Sequence, residues 1–223
     1  MALERIDKQT LRHDAFRDSM FALIGYMHEQ RKLFIVTGVA VLAVLLAAGG
    51  WYLQRERAAG EEAAAFAAAE RPLLDPRLAT GEREKQTQAA FQAFVAAYPD
   101  ARLTPAAWIY LARFAADAKT YDKAEAAYQK ALAQGGIDPI LRVVALVGLG
   151  KLRESQGKPE QAQAFYDQIG DKNFEHLKAY VSGSAALAAG KPEQARKQFQ
   201  AAASGQPPSA VTLWARDALD YLP

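Results

Sequence analysis

Apolar and polar residues alternate with a helical period along most of the chain, and one stretch departs from the pattern by being apolar on every side. From Leu33 to Leu53 the sequence LFIVTGVAVLAVLLAAGGWYL runs 21 residues without a charge. At the helical rise this is about 31 Å, the thickness of a bilayer core. The run predicts a transmembrane helix over 33–53. Arg31 and Lys32 stand at one end, and Trp51, Tyr52, Arg55 and Arg57 at the other, the basic and amphipathic side chains that suit the two interfaces. A buried core helix is the alternative, but soluble cores rarely hold so long a charge-free stretch. The tail of 32 residues before it and the length of the run itself exceed those of a cleavable signal peptide. The segment is therefore expected to remain in the mature protein.

The tail over 1–32 carries its own stripe. Phe16, Met20, Leu23, Ile24 and Met27 recur at helical spacing, with Phe21 adjoining them and Arg17, Asp18 and His28 alongside. Phe16, Met20, Phe21, Ile24 and Met27 are candidate contacts with the membrane surface. Packing on a neighbour or on the start of the transmembrane helix remains the other reading. Lys and Arg number six in residues 1–32 and six in residues 54–85, so charge bias does not choose a topology.

Downstream, the chain repeats itself. GKPEQA occurs at 157–162 and again at 190–195, each followed by an aromatic four residues after its alanine. Alignment on that alanine reveals a third copy: Ala124 with Tyr128, Ala162 with Tyr166, and Ala195 with Phe199 are equivalent, separated by 38 and then 33 residues. One helix earlier, Trp108, Leu111 and Ala112 match Leu146, Leu149 and Gly150, then Ala179, Ser182 and Gly183. Small residues suit places where helix backbones approach, and large ones fill the gaps between. The spacing is that of a tetratricopeptide unit. It predicts helix pairs at 104–118 with 121–134, 139–155 with 159–168, and 174–189 with 192–204. Gly-Lys-Pro at 157–159 and 190–192 sets a left-handed helix end before a helix start.

The organisation expected is all-α: an amphipathic tail (1–32), a single N-terminal transmembrane helix (33–53), an Ala-rich joint with a degenerate capping pair (54–103), a tetratricopeptide-like α-solenoid of three repeats (104–208) and a C-terminal capping helix (209–223). In the joint, 57–70 and 82–98 read as helices and RPLLDPRLAT at 71–80 as a loop. The final helix should gather Val211, Trp214, Ala218 and Tyr221 on one face.

Composition narrows the chemistry. Alanine supplies 48 of the 223 residues, which favours helix. The formal charge of +2 gives no footprint for a nucleic-acid backbone, and the absence of cysteine removes disulfides, thiol nucleophiles and Cys-based metal sites. His13, His28 and His176 have no metal-ligand partner at helical spacing, and His176 reads as a surface residue. GLGK at 148–151 lacks the span and the Ser or Thr of a phosphate loop, and VSGSA at 181–185 has no strand to make it a nucleophile elbow. Glu61 with Glu62, and Glu82 with Glu84, read as solvated charges. No catalytic constellation, cofactor, metal or small-molecule substrate is expected.

What remains is a surface. In stacked helix pairs the first helices line the concave side. Their fifth positions hold Ile109, Val147 and Tyr180, and their ninth positions hold Arg113, Lys151 and Ser184. An apolar row flanked by cations suits a peptide or helix with an acidic rim. The competing reading makes Ile109 and Val147 contacts between repeats.

FVAAYPD at 94–100, LARFAADAKTYDKAEAAYQKAL at 111–132, LGKLRESQGKPEQAQAFYDQI at 149–169, GSAALAAGKPEQARKQF at 183–199 and the ending ARDALDYL, in their order behind one membrane helix, resemble the YfgM-type ancillary subunit of the bacterial Sec translocon. The resemblance implies a non-enzymatic adaptor in the bacterial inner membrane. It further implies a cytoplasmic N-terminus, a periplasmic repeat domain, and translocon subunits, a periplasmic chaperone and exported clients as partners. A structural accessory subunit of another inner-membrane complex, held by its tail and transmembrane helix, is the alternative from a different class. A hydrolase has no nucleophile, base or metal behind it.

Overall fold

In the computed structural model the described residues are 20–21, 31–205 and 209–222, and they are helical with no strand among them. The chain divides into two compact units, Met1–Ala59 and Gly60–Pro223. The first contains the whole apolar run, in the N-terminal part of helix α1 (Arg31–Leu74). Every described side chain from Ile35 to Gly60 is exposed, with Ile35, Val44 and Leu46 each above 60%. A helix whose apolar side chains find no protein cover must find another apolar medium or bear the cost of hydration. This one is long and apolar enough to cross a membrane.

The second unit begins with the last turns of α1, which carry a different pattern. Glu62, Phe66, Ala69 and Glu70 turn inward onto α2 (Thr80–Ala97) and α3 (Thr104–Asp117). Phe66 lies 5.3 Å from Phe91 and 5.4 Å from Phe94, and Phe91 stacks on Tyr110 at 4.6 Å. Tyr110 donates to Glu70 at 2.9 Å. Glu62 departs from its expected solvated state: it is 9% exposed and accepts the Leu103 N–H at 2.5 Å, satisfying an otherwise orphan donor at the start of α3. The expected loop at 71–80 is shorter, because α1 continues through Pro72 to Leu74. Proline removes one bond to the carbonyl of residue 68, and Ala68 lies on the exposed side of the helix.

Beyond α3 follow α4 (Tyr121–Ala133), α5 (Pro139–Ser155), α6 (Pro159–Tyr166), α7 (Glu175–Ala188), α8 (Pro192–Ala203) and α9 (Ala210–Asp220). The helix ends lie close to those read from the repeat spacing. The exception is α6, which stops at Tyr166 and gives way to a 3-10 turn at Lys172–Phe174, held by the Asp171 side chain accepting from Asn173 N–H at 2.9 Å. The main packing runs between helices adjacent in sequence, the stacking expected of a solenoid.

Aromatic rings seated on glycines set the helix spacing. A Cβ at Gly148 would lie 2.3 Å from the ring of Tyr128, at Gly150 2.1 Å from Tyr166, and at Gly183 2.7 Å from Phe199. Ala124, Ala162 and Ala195, the anchors of the alignment, are fully buried. Three helix ends close identically: the N–H groups of Thr120, Lys158 and Lys191 donate to the carbonyls of Ala115, Arg153 and Ala186 at 2.8, 2.9 and 2.9 Å. This is the Schellman closure, which needs a left-handed residue. Gly157 and Gly190 supply it at φ 73° and 70°, whereas the first copy uses Lys119 at φ 57°.

Gly150→Ala and Ala162→Leu are each expected to destabilise the fold by about 1–3 kcal/mol through overpacking. Lys119→Gly should stabilise it by up to about 1 kcal/mol by relieving a left-handed lysine. Urea midpoints of the full chain in detergent micelles check both signs.

Candidate protein-interaction surface

Helices α3, α5 and α7 are the first members of the three pairs, so their equivalent positions form rows across the stack. The fifth positions lie inward. Ile109 is 6% exposed and belongs to the core around Phe91 and Tyr128. Val147 is half-buried against the core cluster of Val143, Leu146 and Ile169 and that of Tyr166 and Val181. Tyr180 is half-buried, with its ring 5.7 Å from Phe199 and 6.0 Å from Trp214 of α9. A β-branched or aromatic residue here closes the joint between successive pairs, which removes its apolar surface from water.

The ninth positions are more open. Arg113 and Lys151 are exposed and Ser184 is half-buried. Lys151 Nζ reaches Ser184 Oγ at 3.1 Å, joining α5 to α7, and donates to Glu154 at 2.9 Å. The other oxygen of Glu154 accepts from the Tyr166 hydroxyl at 2.6 Å. The structure thus brings Lys151 and Ser184 together and adds Glu154 and Tyr166 to them. The phenol of Tyr110 is raised by burial and by its hydrogen bond to Glu70, and the charge of Arg113 opposes the rise there and at Tyr128. Ile109 does not join the exposed patch.

On α9, Ala215 is buried in a cluster with Ala179 of α7 and Ala202 of α8, and Arg216 beside it is exposed. Exposed Trp214, Leu213 and Tyr221 give this last helix an apolar outer side. Of the candidate membrane-surface residues, Met20 and Phe21 are helical and exposed at 46% and 62%, while Phe16, Ile24 and Met27 lie outside the described residues. His176, expected at the surface, packs its ring 3.3 Å from the Ala201 carbonyl. Among the described residues, no three His, Asp or Glu side chains are placed to hold a metal ion.

Burial shapes the titration of this face. The phenol of Tyr166 is pushed above the ordinary tyrosine range, first by burial, then by its hydrogen bond to Glu154 and by the charge of that carboxylate. Tyr128 is raised by burial, against the opposing charge of Arg113. A family model described as a tetratricopeptide repeat-like domain matches residues 26–220, and no curated protein matches the chain. The chain belongs to that tetratricopeptide repeat-like family.

A phenol raised in the folded state stabilises the fold fully below its unfolded value near 10, and that contribution is lost as pH rises beyond it toward the folded value. The stability difference between the parent and Tyr166→Phe should therefore be constant up to about pH 9. Between pH 8 and pH 11 it should move by about 1.4 kcal/mol against the parent. Urea midpoints of both proteins across this range check it.

Proposed function

We propose that this tetratricopeptide repeat-like protein is a membrane-anchored adaptor, held in the bacterial inner membrane by the apolar stretch of α1, whose repeat domain binds other proteins. Tetratricopeptide-like domains act through protein–protein contact, and solenoids offer extended surfaces for it. The observation that carries the reading is the uncovered apolar stretch of α1 in a chain whose family match extends over residues 26–220. Such a stretch has a physical role only in a bilayer or against another apolar partner.

The resemblance to YfgM-type subunits supports a place beside the Sec translocon. There the N-terminus would be cytoplasmic, the repeat domain periplasmic, and a periplasmic chaperone and exported chains its partners. Arg113, Lys151 and Ser184 form the proposed contact row, with Val147 and Tyr180 beneath it as supports and Ile109 in the core behind it. The row favours a partner with acidic side chains, since Arg113 and Lys151 are the exposed ends.

Site-specific photocrosslinking in native membranes tests the reading, with a reactive residue placed singly at Arg113, Lys151 and Phe21. Adducts from Arg113 or Lys151 to translocon subunits, a periplasmic chaperone or exported chains are the expected result. Adducts from Phe21 alone, all to one unrelated membrane complex, would overturn it and make the protein a structural subunit of that complex.

A further inference from the structure

Trp108 fits its repeat position as a core residue, yet it is only half-buried. It forms a wall shared by two surface cavities between α2 and α4, floored by α3, with volumes of about 400 and 380 Å³. Val95, Pro99, Asp100 and Lys130 help line one; Gln88, Gln92, Phe114 and Lys123 help line the other. Together they make a groove with an apolar floor divided by an indole. Lys130 Nζ sits 4.3 Å from the centre of the Trp108 ring, a cation held over a π face.

The two walls differ in chemistry. Helix α2 offers neutral amides, whereas α4 offers Lys123 and Lys130, two turns apart on one face and about 10.5 Å along the axis. Asp100 is the one carboxylate among the described lining residues. Glu125, on the same helix as the lysines, is engaged by Arg153 at 2.5 Å. No ion pair among the described residues engages Lys119, Lys123 or Lys130.

Lys119 adds a separate observation. It is exposed and stands between Ala118 and Thr120, both of which line the second cavity. It holds the left-handed position that glycine holds in both later repeats. A lysine there costs conformational energy that a glycine would not, and it adds a third cation next in sequence to two residues of that lining. The fold gains nothing from it in the hydrogen bonds of the turn, which are equivalent in all three copies.

We propose that this groove is a docking site for an amphipathic helical segment of a partner protein, with apolar residues facing Trp108 and acidic residues facing α4. Seven residues of a helix span the separation of Lys123 and Lys130, so carboxylates at i and i+7 meet both lysines. Apolar anchors one turn apart enter the cavities on either side of the indole. The groove is distinct from the row of Arg113, Lys151 and Ser184, and the inference rests on the reading of the repeat domain as a protein-binding module.

The test uses the full chain in nanodiscs and two synthetic peptides of roughly 18 residues, long enough to form a helix. One carries leucines on one face flanked by glutamates seven residues apart; its twin carries lysines in place of the glutamates. The parent should bind the glutamate peptide at least tenfold more tightly than the twin. Lys123→Glu combined with Lys130→Glu should reverse that preference. Lys119→Gly should weaken the glutamate peptide severalfold without lowering the urea midpoint, which separates binding from folding. Equal binding of the two peptides, binding of neither, or a preference unmoved by the double charge reversal would overturn the proposal. So would self-association of the parent that the double variant loses without peptide, which would assign the groove to a second copy. If the groove fails while crosslinks from Arg113 or Lys151 persist, the adaptor reading stands without it.

Discussion

The solenoid depends on aromatic rings lying where a first helix has no side chain. Tyr128 on Gly148, Tyr166 on Gly150 and Phe199 on Gly183 leave no room for even a methyl group. The close approach brings apolar surface out of water on both helices, and at interior packing density the neighbours have little freedom to move aside. Once the ring is seated, the rest of the pair is fixed in rotation. The seat under Tyr166 also directs its hydroxyl to Glu154, and Glu154 in turn steadies Lys151 beside Ser184. A packing constraint in the core thus determines the arrangement of charge on the surface.

The sequence exposes this constraint because it recurs. An alanine and an aromatic four residues apart, found three times at similar separation, are enough to reveal the helix pairs and the all-α class, and Gly-Lys-Pro marks two of the turns. What repetition cannot convey is depth. Ile109, Val147 and Tyr180 share one position, yet the first is in the core and the other two are half-buried, because each meets a different neighbour. Nor does local pattern reveal partners distant in sequence. Glu62 looks like one of many charges on an Ala-rich helix until Leu103, 41 residues on, places an N–H against it. Pro72 reads as a break, but α1 runs only two residues past it, so the helix forgoes a single bond, to exposed Ala68.

The two sides of the repeat unit have different chemistry. On the first-helix side, exposed Lys151 is tied into a hydrogen-bonded link that joins α5 to α7. On the groove between α2 and α4, Lys123 and Lys130 have no carboxylate partner within the described fold and border an apolar floor. The apolar stretch of α1 belongs to a third regime, long and apolar enough to cross a membrane. Six basic residues in residues 1–32 and six in residues 54–85 leave the two flanks of that stretch equal in basic charge.

The glycine–aromatic contacts also have a kinetic side. Tyr166 and Gly150 are sixteen residues apart, as are Phe199 and Gly183, and Tyr128 precedes Gly148 by twenty. Contacts this local give a low contact order, so closing each one loses little loop entropy and proceeds quickly. A chain delivered lengthwise, N-terminus first, can complete one pair before the next emerges, with each finished pair serving as the template for its successor. The assembly has a direction built into it, each pair arriving on a surface the one before has finished.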